Sequence, residues 1–450
     1  MDNKIINGVI WKQLFIFFFP IWFGTFFQQL YNTADAVIVG NFVGKGALAA
    51  VGATAVILNL LVGFFVGLSS GSSVIISQCY GSDDWQGVED TVHTTMALSF
   101  LGGGLLTILG IISTDFCLRW IHIPADIFSE AKIYLMVCFL GMIPVFVYNM
   151  GTGILRAIGD SKRPLYFLIA ASLTNIALDV VFVVYCHMGV LGVGLGTIIS
   201  QLVSAVLTII SLSMSEECYR FEWKKMHFHW HIMKQIVHIG LPAGLQSVMY
   251  SLSNIVVQTS INGFGTDIVA AYTAYTKIDT IFWMTMNAFG LAITTFVGQN
   301  FGARKYDRVK KGIWQCVGLA FLTTLFLLAI LLPFGSYFYQ IFIHDEYVIQ
   351  IGLDILYFLA PIWPSYILIE VLSGGVRGSG DSIIPMIITC SGVCVLRVVY
   401  ILCFATPLWP TLKGVLMCYP ISWTITSIMF LIYFVHGGWL KRRIRYTFGK

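Results

Sequence analysis

The chain has 450 residues, of which 57% are hydrophobic and 11% charged, and its mean hydropathy is +0.83. Soluble domains carry about 25% charged residues, and 26 Lys/Arg with 22 Asp/Glu cannot clothe the several water-facing domains that such a length would make. Disorder, collagen-like repeats and secreted disulfide scaffolds are excluded by the same figures. A net charge of +4, with the basic residues not clustered as a nucleic-acid footprint requires, excludes that class as well. What remains is a polytopic membrane protein, and the informative question is where its few charges sit.

Apolar stretches of about 20 residues, the length that crosses a bilayer, recur along the whole chain. In order they are 14–38, 48–76, 92–114, 131–153, 165–185, 191–213, 236–261, 269–296, 313–333, 350–373, 385–405 and 414–436. These twelve segments are numbered as spans 1 to 12. Span 1 lacks a small-residue cleavage site and is read as a retained span rather than a signal peptide. An even number of spans puts both termini on one side. That side carries 20 of the 26 basic residues, the opposite loops four (Lys45, Arg119, Lys132, Lys413), and the spans two (Lys277, Arg397). Basic loops stay in the cytoplasm, so both termini are expected there.

Nearly all ten cysteines lie in or at the ends of spans and read as small apolar packing groups. His227, His229 and His231 alternate in the more polar segment 214–234, where helical geometry scatters them over different faces, so a metal site there is not expected.

Three motifs repeat at one offset of 221 residues. Gln78-Cys79-Tyr80-Gly81 returns as Gln299-Asn300-Phe301-Gly302, Arg156-Ala157-Ile158-Gly159-Asp160 as Arg377-Gly378-Ser379-Gly380-Asp381, and Pro164 as Pro385. The expected architecture is an all-α polytopic membrane protein with twelve transmembrane helices in two six-helix lobes related by an internal pseudo-twofold repeat. The lobes are drawn at 1–213 and 235–450, joined by a cytoplasmic linker at 214–234. The Arg-x-x-Gly-Asp stretches themselves read as loop chemistry, glycine for a tight turn and arginine in the interfacial zone. Two such bundles enclosing a cleft suit alternating access by rocking.

A carboxylate in the middle of a spanning helix costs roughly 2.5–3.5 kcal/mol and asks for an explanation. Asp35, Asp179 and Asp279 lie deep in spans 1, 5 and 8, and Glu370 lies nearer the cytoplasmic end of span 10. Spans 5 and 6 are joined by a short turn at His187-Met188-Gly189, and Asp179 and Thr197 are equidistant from Met188, hence at one depth. Asn175 precedes Asp179 by one helical turn, and Tyr31 precedes Asp35 by one, so each pair shares a helix face. Tyr134 stands just inside the outer end of span 4. Asp35, Asn175, Asp179, Thr197, Tyr31 and Tyr134 therefore form an oxygen-rich candidate cation-coupling group without a cationic side chain. Such a group suits Na⁺, held by Asp35, Asn175, Asp179 and Thr197, or protons shared between two close carboxylates.

The second half does not copy this group. The offset carries Asp179 onto Tyr400 and Asn175 onto Leu396, beside Arg397, which is expected to neutralise an acid or cap carbonyls. Gln258, Asp279, Trp283, Met284, Met286 and Arg397 are the candidate substrate-cleft residues. Pro20 inside span 1 removes a helical hydrogen bond and is the candidate hinge.

Taken together, Tyr-Asn-Thr-Ala-Asp35, Asn175-x-x-x-Asp179, Gly-Thr197 followed by Ser200-Gln201, the two Gly-Asp loops and Lys277-Ile278-Asp279 leading to Gly298-Gln299-Asn300 resemble the multidrug and toxic compound extrusion (MATE) transporters. The resemblance covers nearly the whole chain. It implies Na⁺- or H⁺-coupled antiport of organic cations and amphipathic compounds across the bacterial plasma (inner) membrane. No catalytic residue and no cofactor beyond the coupling ion are implied. The expected partners are small cationic or amphipathic molecules and the lipid bilayer, with no nucleic acid, and the chain is expected to act as a monomer. In the family's DinF-like branch the N-lobe site looks like Asp35, Asn175, Asp179 and Thr197, with Tyr31 and Tyr134 nearby and Pro20 at a bend. The NorM-like branch places a glutamate in span 7, where this chain has Gln258; that departure favours N-lobe coupling. A lipid-precursor flippase would need a strongly basic cleft, and only Lys277 and Arg397 are available. No nucleophile elbow, paired-acid metal motif or Walker A sequence supports an enzyme.

Overall fold

The computed structural model describes residues 4–436 and 438–448, and every regular element among them is helical. Ten helices are long and apolar enough to cross a membrane, and an eleventh crossing is a bent pair, Phe128–Leu140 with Met142–Ala157. Span 7 is the 33-residue helix Trp230–Asn262. Its polar residues, Gln246, Ser247, Ser251, Ser253, Asn254 and Gln258 among them, keep it less apolar than the others. All twelve expected spans are present as helical segments.

Two spans are broken where the sequence reads as continuous. Span 4 bends by 48° at Gly141, because Pro144 has no N–H to give the carbonyl of Leu140. Span 10 passes through a 3₁₀ turn, Ala360–Ile362, between Glu346–Leu359 and Trp363–Gly378. Pro361 and Pro364 impose that change for the same reason. The two breaks lie at equivalent places in the repeat.

The chain packs as two compact units. One comprises Phe19–Gly244; the other comprises Leu245–Lys450 together with Met1–Phe18. Spans 1 and 7 thus each pass from one unit to the other, at Phe18/Phe19 and at Gly244/Leu245. The segment 214–234 packs within the first unit. Tyr219 and Phe221 are buried among Val88, Val92 and Ile154, and Arg163 donates to the Tyr219 hydroxyl at 2.9 Å. In the second unit the short helix Lys4–Asn7 is clamped to the start of span 9. Arg308 Nη2 donates to the carbonyls of Ile5 and Gly8 at 3.0 and 2.8 Å, and Lys305 Nζ to Asn7 Oδ1 at 2.7 Å.

The repeat is deeper in the backbone than in the letters. Gly44 and Gly265 both open a helix with φ of 121° and 100°, and Gly159 and Gly380 both turn with φ of 99° and 95°. Asp83 and Arg304 share a left-handed φ of 57° and 56°. All three pairs obey the offset. Within the first unit, Gly67-x-x-x-Gly71 of span 2 faces Gly240-x-x-x-Gly244 of span 7 so closely that a Cβ on Gly67 would lie 2.2 Å from the Gly244 nitrogen. Small residues at this spacing let helix backbones touch, the usual means of association in lipid.

Candidate functional site

In the Phe19–Gly244 unit, spans 1 and 5 both abandon α-helical geometry just past a carboxylate. Span 1 runs as Ile10–Ile38 and then as a π-helical turn, Val39–Val43. Span 5 runs from Lys162 to Asp179 and then as a π-helical turn, Val180–Tyr185. Such turns add a residue per repeat, widen the helix and recur at functional sites. The two turns pack against one another and against span 6, Gly189–Ser213. That packing brings the Asp35 and Asp179 side chains within hydrogen-bonding reach of each other.

Asp179 is fully buried, with 0% of its surface exposed, and Asn175, one turn earlier, keeps 1%. Asp35 Oδ1, both Asp179 oxygens and both amide atoms of Asn175 are buried without a hydrogen-bond partner. Two carboxylates face each other and have only acceptors to offer. A proton held between them or a small hard cation among these oxygens removes the conflict; no described side chain bonds to these oxygens in its place. The oxygen-only donor set fits Na⁺ as well as H⁺. Tyr31 and Tyr134 lie within electrostatic reach of Asp35. Thr197 behaves differently: its hydroxyl donates to the Val193 carbonyl at 3.0 Å within its own helix. Its neighbour Gly196 is the residue that meets the acid, since a Cβ there would stand 2.3 Å from Asp179 Oδ1.

Two participants are absent from the sequence reading. Cys138, one turn after Tyr134 and buried beside it, also lies within reach of Asp35, and the i, i+4 spacing was its only signal. Gly196 carried no signal beyond standing before Thr197.

In the other unit the candidate cleft residues fall into separate places. Met284 and Met286 are packed in the core, 5% and 1% exposed. Gln258 donates to Asn262 Oδ1 at 2.8 Å. Lys277 is exposed. The Trp283 indole donates to Asp279 Oδ2 at 2.5 Å, leaving Asp279 Oδ1 buried and unpartnered. Glu370 accepts from the Tyr366 hydroxyl at 3.3 Å, and that hydroxyl meets Tyr250 at 3.0 Å. Arg377, expected in the interfacial zone, turns toward this group and donates to Gln246 Oε1 at 3.3 Å.

Arg397 corrects its expectation. Among the described residues it has neither an acid partner nor a backbone carbonyl. Its Nη1 donates to Asn254 Oδ1 at 3.0 Å and its guanidinium lies 4.5 Å from the centre of the Tyr419 ring. In the 214–234 segment, His227 bonds to the Lys225 carbonyl at 2.6 Å and His229 stands 3.9 Å from Asp90. Among the described residues no three His, Cys, Asp or Glu side chains come together as metal ligands there or elsewhere.

The family model described as MatE matches residues 20–181 and 242–402. The chain is similar to the probable multidrug resistance protein YoeA of Bacillus subtilis, 26% identical across 99% of this chain and 97% of that protein. It is also similar to the probable multidrug resistance protein YpnP of the same organism, 27% identical over 97% and 98%. Among solved structures, the outward-facing conformation of a multidrug resistance MATE family transporter of the MOP superfamily superposes with a TM-score of 0.91. The two are 23% identical, and 98% of each chain is covered.

Proposed function

From the premise that the chain belongs to the MatE family and is a multi-span membrane transporter, we propose that it is a secondary efflux antiporter of the bacterial plasma membrane, with both termini cytoplasmic. It exports organic cations and other amphipathic small compounds by alternating access in exchange for H⁺ or Na⁺. The observation that carries this reading is the orphaned carboxyl pair, Asp35 and Asp179, with Asn175 beside it. An ion entering from outside loads the pair, and the loaded and empty pairs favour different conformations. Coupling requires that difference in affinity and nothing more.

Span 1 is the proposed link between loading and movement. It carries Asp35 at one end, and Pro20 leaves the Ile16 carbonyl without its helical donor two residues beyond the point where the chain passes between the units. Bending there repositions Asp35 without breaking further hydrogen bonds.

The test is neutralisation without change of shape. Asp35→Asn and Asp179→Asn are each expected to abolish gradient-driven dye export from reconstituted vesicles. The amount of folded protein in the membrane should be unchanged, because each substitution removes a charge that is costly to bury. Full gradient-driven export by the double variant would show that the ion couples elsewhere.

A further inference from the structure

Arg397 is a buried charge of the Leu245–Lys450 unit that no acid among the described residues neutralises. Only 1% of its surface is exposed. Its Nη1 is committed to Asn254 and its face to the Tyr419 ring, while Nε and Nη2 are buried without partners. Those two nitrogens form one edge of the guanidinium, the edge whose parallel N–H groups match the two oxygens of a carboxylate or phosphate. Asp279 is bonded through Oδ2 to Trp283, and Glu370 to Tyr366.

The surroundings continue the pattern. Trp423, 1% exposed, packs edge-on against Tyr419 with ring centres 5.2 Å apart, and its indole Nε1 is a further buried donor without a partner. Trp283 meets Trp423 with centres 6.0 Å apart, so an aromatic wall runs from Arg397 toward Asp279. The helix around Arg397 is also unusual: Leu396–Tyr400 is a five-residue α-helical stretch between two π-helical turns, Cys390–Val395 and Ile401–Ala405. The second turn is the counterpart, by the repeat, of the one that follows Asp179.

We propose that the open edge of Arg397, with the Trp423 indole, binds an oxyanion, carboxylate or phosphate, carried on an aromatic substrate of this transporter. The site rests on the reading of the chain as an exporter of small compounds and adds to it the anionic group that such a compound carries. Asp279, the buried acid at the other end of the aromatic wall, receives the cationic end of a compound bearing both charges. The carboxyl pair of the other unit then serves the driving ion, and the guanidinium serves the cargo.

The experiment is equilibrium binding to purified protein in detergent, with tritiated 2-naphthoate, 2-naphthyl phosphate and the neutral 2-naphthamide as probes. Wild-type protein is expected to hold at least one anionic probe about tenfold or more tighter than the amide, the scale of a charge-assisted hydrogen bond. Arg397→Gln should remove that preference and leave amide binding unchanged. Trp423→Phe, which keeps the ring and deletes only the indole N–H, should reduce it severalfold, and this milder variant answers the question if Arg397→Gln does not fold. Asp35→Asn should keep the full preference, so loss of ion coupling and loss of oxyanion recognition are read separately. Equal binding of all three probes by wild-type protein, including no measurable binding of any, would overturn the proposal. So would an anion preference that survives both Arg397→Gln and Trp423→Phe.

Discussion

At the residue scale, the candidate coupling site depends on a glycine as much as on its acids. Asp179 occupies the space that a side chain at position 196 would need, with only 2.3 Å between its Oδ1 and a Cβ built there. Gly196→Ala therefore displaces the Asp179 carboxyl while removing no ionisable group. We expect the concentration of driving ion giving half-maximal efflux to rise about tenfold, the equivalent of one weakened charge-assisted bond. Protein yield should be unaffected. An unchanged ion dependence in vesicle efflux assays would mean that the carboxyl positions are not what sets coupling. Thr197, whose hydroxyl is already used within its own helix, is expected to matter less than its neighbour.

At the element scale, span 1 is where the local chemistry has the longest reach. Pro20→Ala restores the hydrogen bond to the Ile16 carbonyl and favours a straight helix. The expected result is a higher unfolding temperature in detergent with slower efflux, because the bend becomes harder to form; an unchanged efflux rate would remove Pro20 from the mechanism. Elements also show what was legible in the chain. Span positions, the pairing of Asp35 with Asp179 and the turn at His187-Met188 followed from hydrophobic length, burial cost and helical spacing. The breaks in spans 4 and 10 did not, although Pro144, Pro361 and Pro364 were visible, because lipid-spanning helices often absorb proline without breaking. The π-helical turns left no composition signal: Val180–Tyr185 is an ordinary run of β-branched and aromatic residues, and its geometry is set by what it packs against. Arg397 was legible as a charge in a span. Its missing partner was not, since pairing between elements distant in sequence appears only when they are packed.

At the scale of the whole molecule, one six-span plan has been used twice and given opposite chemistry. The turns, the π-helical segment and the helix-opening glycines coincide under one offset, yet span 5 of the first copy buries a carboxylate without a partner, Asp179, where span 11 of the second buries a guanidinium with two unpartnered nitrogens, Arg397. The proposed orientation can be read from two cysteines. Cys186 is exposed in the turn between spans 5 and 6, and Cys218 lies in the 214–234 segment, half-buried. Burial, with Glu217 beside it, pushes the Cys218 thiol up to about 11, so little thiolate forms at neutral pH. In variants retaining only one of these cysteines, a membrane-impermeant maleimide applied to intact cells is expected to label Cys186 and not Cys218. Labelling of Cys218 alone would invert the topology.

The carboxyl pair as the seat of coupling is tested most directly in reconstituted vesicles by following dye transport while a Na⁺ gradient and a pH gradient are imposed separately. One of the two gradients should drive transport against the dye's own gradient, and the Asp35→Asn/Asp179→Asn protein should respond to neither. Dye movement that only runs downhill whichever ion gradient is imposed, or uphill movement that persists in the doubly neutralised protein, would contradict it.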